Sequence, residues 1–173
     1  MKHFFQPAAL FFLIFAAVSC GKVSTLEFKP APITLTAEGP LFEGSNTAQG
    51  VLTNAELEAL LAQGGYRGAA IKSARLVSAL LLTETDTLTL DNLSEITLQL
   101  AAPEVDMQKV AVLNPVPVGK NSAALQVAAE QEKIAKLLQQ PALTLVADVN
   151  LKQDTEANLT VKCQLVFEIN VKD

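Results

Sequence analysis

Apolar and polar residues alternate most regularly at the C-terminal end of the chain. Leu159, Val161, Cys163, Leu165, Phe167, Ile169 and Val171 fall on one face, with Thr160, Lys162, Gln164, Val166, Glu168 and Asn170 on the other. Side chains of a strand point alternately to its two faces, so the pattern predicts one long half-buried strand. Leu143, Leu145, Ala147, Val149 and Leu151 alternate the same way with Thr144, Val146, Asp148 and Asn150, and the polar residues 153–157 between the two runs read as a hairpin loop. Shorter strands are predicted around Ile33 and Leu35, around Ile96, Leu98 and Leu100, around Val110 and Val112, and over residues 23–29. Residues 71–82 have no single clean face, which fits a strand covered on both sides or one interrupted by a bulge.

Two short helices break this pattern. Thr53-Asn54-Ala55-Glu56 has the form of a capping box, with the Thr53 hydroxyl expected to accept from the backbone N–H of Glu56. Leu57, Leu60 and Leu61 would form the apolar stripe, and Gly64-Gly65 the stop. A second helix is expected over residues 129–139, with Ile134, Leu137 and Leu138 facing inward and Pro141 ending it. Many short alternating strands and few helices predict a mainly β fold, an antiparallel two-layer β-sandwich with one or two short helices.

The first twenty residues are of a different kind. Lys2 and His3 precede an uninterrupted apolar run of 11 residues, 8–18, and Gln6-Pro7 limits it upstream. A helix needs roughly 20 apolar residues to cross a bilayer, so the run reads as a secretory signal and not as a permanent span. It ends Ala17-Val18-Ser19-Cys20, which resembles the lipobox of bacterial lipoproteins, with Ala17 where that pattern usually carries Leu. The resemblance covers residues 1–20 only. It implies removal of residues 1–19, lipidation of Cys20 and attachment to a membrane through that lipid. Two or more acyl chains make a durable anchor at about 0.8 kcal/mol per buried methylene. Gly21 follows the cysteine in place of the aspartate that retains some such lipoproteins at the inner membrane, which implies the outer membrane. The expected organisation is therefore a signal peptide (1–19), a lipidated cysteine with a short tether (20–22) and one β-sandwich domain (23–173).

Composition narrows the chemistry. Without Lys2 the chain keeps 12 of its 13 basic side chains against 18 acidic ones, a net of −6, which gives no electrostatic reason to bind nucleic acid. The only histidine, His3, leaves with the signal. That removes Ser-His-Asp and Cys-His catalysis and His-ligated zinc or haem from the mature chain. Once Cys20 is lipidated, Cys163 has no disulfide partner. It lies on the apolar face of its strand, where a free cysteine behaves as a small buried hydrophobe. Phe28, Phe42, Tyr66 and Phe167 are the only aromatics left, too few for the stacking platforms of a carbohydrate-binding module.

The candidate site is the glycine-rich stretch 38–46, whose Leu41 and Phe42 stand ready either to bind a partner or to cover an open end of the sandwich. Glu84, Asp86 and Asp91 crowd one turn, but their spacing matches no calcium loop, and no metal or cofactor is expected. The proline-containing residues 114–119 read as a stiff connector. The functional expectation is a non-enzymatic, lipid-anchored structural or interaction module of the cell envelope, with an envelope protein as its partner. The alternative is a carrier holding a hydrophobic small molecule or lipid between its sheets.

Overall fold

A computed structural model describes residues 23–66 and 71–172. Ten strands and two helices follow in the order β1 (Val23–Phe28), β2 (Ile33–Ala37), β3 (Gly44–Thr53), α1 (Ala55–Gln63), β4 (Ile71–Thr83), β5 (Leu93–Ala102), β6 (Val105–Leu113), β7 (Ser122–Ala124), β8 (Gln126–Val127), α2 (Ile134–Leu138), β9 (Ala142–Leu151) and β10 (Leu159–Lys172). The fold is mainly β and every strand pairing is antiparallel, as expected.

The expected division into two layers is not confirmed. All strands join one sheet in the order β7-β4-β10-β2-β3-β9-β5-β6-β8, with β1 also on β10, and this sheet is nearly closed into a barrel. Two positions around the wall are shared by pairs of short strands. β1 and β2 lie end to end along one edge of β10, at residues 167–172 and 159–163. Opposite them, β7 pairs with β4 while β8, only one residue further on, pairs with β6. The stretch 122–128 thereby stitches the two ends of the sheet together, helped by backbone bonds from Leu125 N to Ala79 O (2.9 Å) and Ala128 N to Val110 O (2.8 Å).

Strand β10 fulfils its pattern from Val161 onward: Val161, Cys163, Leu165, Phe167, Ile169 and Val171 are all buried, while Leu159 at its start is half-buried. Phe167 stacks on Phe28 of β1, ring centroids 6.0 Å apart. The irregular pattern of residues 71–82 has a specific cause. Opposite β10, Val77 is skipped between Leu76 and Ser78, and Lys72 between Ile71 and Ser73. Each one-residue bulge reverses which face the next residue takes. The buried Ile71, Leu76, Ala79 and Leu81 therefore face the same interior although their numbers change parity.

Three local expectations are corrected. Residues 153–157 are not a hairpin loop, because β9 pairs with β3 and β5 while β10 pairs with β1, β2 and β4. The connection passes across the end of the barrel. The second helix is confined to Ile134–Leu138, although Ile134, Leu137 and Leu138 are buried as predicted. The capping box does not form, because Thr53 is the last residue of β3, paired with Ala142, and helix α1 starts from Asn54 with no side-chain cap. The Glu56 carboxylate instead accepts from the backbone N–H of Ala31, 2.9 Å away.

Asn54 has a different task. It is the only polar residue among the buried side chains described, and its amide Nδ2 donates to the carbonyls of Leu138 (2.6 Å) and Gln140. Its own N–H donates to Pro141 O at 3.2 Å. Helix α1 is thus tied to the chain that leaves α2. Asn54→Ala would leave two carbonyls without their donor and is expected to cost about 1–3 kcal/mol in urea unfolding. Thr53→Ala is expected to cost much less than the ~1 kcal/mol typical of a lost N-cap. Equal losses for the two variants would restore the capping-box reading.

Candidate interaction surface at the loop end

The strand directions sort the connections into two groups. The segments holding α1 and α2 and the β5–β6 turn lie at one end of the barrel, where β1 begins and β10 finishes: Val23 pairs with Lys172, and Ile71 with Val171. Residues 38–43, 84–92, 114–121 and 152–158 connect strands at the opposite end. Along β10, at about 3.3 Å per residue, the two ends are separated by roughly 40 Å.

The four loops are bound to one another. Leu41 and Thr155 exchange backbone bonds of 2.8 and 2.9 Å, the N–H of Gly39 donates to Asn158 Oδ1, and the N–H of Glu43 donates to Asp154 Oδ1. Lys152 N donates to Asn92 O at 2.8 Å, and Asn92 Nδ2 donates to Gln153 O at 3.1 Å. Leu90 N donates to Lys120 O at 2.8 Å, while Val116 N donates to Ser94 O at 3.0 Å. Asp91 accepts from the N–H of Gly119. That bond, with a second from Thr89 and the nearby Lys152 ammonium, holds the Asp91 carboxyl below the usual carboxylate range.

The two residues singled out in the first loop part company. Leu41 is buried, and Phe42 beside it is 66% exposed. Leu41 thus covers the end of the barrel as one of the two expectations had it, and Phe42 does not. The same pairing recurs in two other loops: Leu90 is buried and Leu88 is 50% exposed, and Val116 is buried and Val118 is 74% exposed. Sequence reading missed Leu88 and Val118. The available signal was an apolar residue flanked by polar or turn-forming residues, Thr87-Leu88-Thr89 and Pro117-Val118-Gly119.

The remaining candidates have plain structural settings. Among the described residues no three His, Cys, Asp or Glu side chains come together as a metal site, so Glu84, Asp86 and Asp91 stand as separate loop charges. Clefts of about 400 and 330 Å³ open beside β6 and β8 and between the helices, the second lined by Leu57, Leu61, Ile71 and Leu138. Cys163 is fully buried, and burial pushes its thiol up to about 12. Cys20 lies outside the described residues. No helix among the described residues is long and apolar enough to cross a membrane.

Two predictions follow from these placements. Leu41→Ala is expected to destabilise the fold by about 2–3 kcal/mol, the lower part of the range for a buried leucine. Phe42→Ser should leave the unfolding midpoint nearly unchanged. Cys163 supplies a pH dependence whose sign is fixed: its thiol stays protonated longer folded than unfolded, so its contribution is intact below the ordinary thiol value of 9 and is lost as pH rises toward 12. Between those values stability should fall by about 1.4 kcal/mol per pH unit from this one group, and Cys163→Ala should remove that component of the slope. An identical slope in both proteins would assign the alkaline loss to other groups. No family model matches this chain, and neither a curated protein nor a solved structure matches it, so its function is read from these residues and their geometry.

Proposed function

We propose that the chain is a lipid-anchored, non-enzymatic interaction module of the cell envelope, held at the outer membrane through Cys20. The supporting observation is where the fold begins. Strand β1 starts at Val23, three residues after Cys20, and pairs from its first residue with the end of β10. Three extended residues reach roughly 11 Å, so a lipid on Cys20 would hold the helix end of the barrel against the bilayer. The loop end with its exposed apolar side chains would then point into the envelope space. The non-enzymatic part of the reading is supported by the mature chain's lack of histidine and by how few pKa values are displaced among the described residues. Those of Arg75, Asp91 and Asp106 come mainly from ordinary surface hydrogen bonds, and that of Cys163 from burial.

The carrier alternative draws no specific support. Leu35, Leu81, Leu98, Leu100, Leu145 and Leu165, which fill the inside of the wall, have no solvent exposure, and the clefts just described are lined mainly by residues near β6 and β8 and by the two helices.

Cell fractionation tests the anchor. The wild-type chain is expected in the membrane pellet, with the mass of a diacylglycerol or triacyl adduct on a peptide beginning at Cys20. Cys20→Ala is expected to leave the pellet or to remain as the uncut precursor. A processed Cys20→Ala chain that still sedimented with membranes would overturn the proposal.

A further inference from the structure

We propose that the loop end is a docking face for a basic protein surface, which packs apolar side chains against Phe42, Leu88 and Val118. Only the orientation of this face rests on the anchor reading above. The docking argument rests on burial and charge.

The exposed residues are not leftovers of a poorly filled core. Each of the three loops already has its own buried apolar residue one or two positions away: Leu41, Leu90 and Val116 are 7%, 2% and 4% exposed. The fold is therefore satisfied without Phe42, Leu88 or Val118, which stand 66%, 50% and 74% exposed. Exposed apolar side chains on three loops that are bound together at one end of the barrel give that end apolar contacts to offer a partner. The bonds between the loops hold this face in shape before a partner arrives, which lowers the ordering cost of binding.

Charge selects the occupant. Glu38 and Glu43 lie on the first loop, Glu84, Asp86 and Asp91 on the second, and Asp154 and Glu156 on the fourth, against only Lys120 and Lys152. This end thus carries −5 of the mature chain's −6, leaving −1 for everything else. A second copy would bring one −5 face against another, and an anionic lipid surface or nucleic acid would be repelled in the same way. A protein surface rich in Lys and Arg has the opposite sign and supplies apolar contacts as well.

The test uses the full-length chain in its own cells. A photoreactive phenylalanine analogue replaces Phe42, Leu88 or Val118, and in controls Val51 or Met107, which are 66% and 48% exposed elsewhere on the surface. Unfractionated cell lysates are irradiated at low and high salt. The triple variant Glu84→Gln/Asp86→Asn/Glu156→Gln is run in parallel. None of these three carboxylates accepts a hydrogen bond among the described residues. The expected result is crosslinking from positions 42, 88 or 118 into a Lys- and Arg-rich segment of another protein, with the yield at least tenfold lower in the triple variant and at high salt. Crosslinking from the control positions alone, crosslinking to a second copy, a yield insensitive to charge, or no crosslink would each overturn the proposal. Fractionation of the same cells separates the two readings. A membrane-bound chain without crosslinks sinks only the docking face, whereas a soluble chain with charge-dependent crosslinks sinks only the anchor.

Discussion

Strand β10 is paired on both edges along most of its length, with β4 on one side and β1 followed by β2 on the other. Its inward side chains from Val161 to Val171 are all buried, so shifting its register by one residue would expose every one of them and bury Lys162 and Glu168. The rest of the molecule follows from that constraint. With β10 fixed, the two bulges in β4 become necessary to keep Ile71, Leu76, Ala79 and Leu81 on the inside. The start of β1 is placed beside the end of β10, which decides the end of the barrel from which the N-terminal segment departs.

The sequence shows which residues face inward far better than it shows which strands are neighbours. β9 and β10 were legible because their alternation is uninterrupted, and every predicted inward residue from Leu143 to Leu151 is buried. Their alternation carries no information about partners, and the polar residues between them read as a hairpin although the strands lie on different parts of the wall. The same limit separates sandwich from barrel, since either closes over the same alternating faces. β3 was not read as a strand because Gly44, Ser45, Asn46 and Gly50 favour turns, and only Ala48 and Leu52 of its ten residues are buried. Ten backbone pairings with β9 impose the strand in spite of that composition, and Thr53 is drawn into the same ladder, away from the helix cap its neighbours predicted.

The candidate site was legible in part. Leu41 and Phe42 were found because two apolar residues in a glycine-rich loop need a reason to be there. Their different fates were not legible, because the Leu41–Thr155 bridge depends on a segment more than a hundred residues away. Leu88 and Val118 were hidden for the same reason. Nothing in the sequence says that the loops after β4 and β6 meet the loops after β2 and β9 at one end, and only that meeting turns scattered acidic residues into a charged face.

That face matters for how the module would work when tethered. A lipid on Cys20, three residues before β1, would give the barrel little freedom to present its sides, so the end opposite the attachment point would be the part best placed to meet another molecule. Its negative charge would also be repelled by an anionic membrane, which favours an upright arrangement over one in which the loops lie on the lipid. The same field falls off within about 10 Å at 0.1 M salt, so it acts on a partner only at close approach. Charge would therefore orient the last step of docking, while Phe42, Leu88 and Val118 provide contacts that salt does not screen. A partner matching the charge alone would dissociate as ionic strength rises. One that also covers these three side chains would retain part of its affinity, and that remainder measures how much of the interface is apolar.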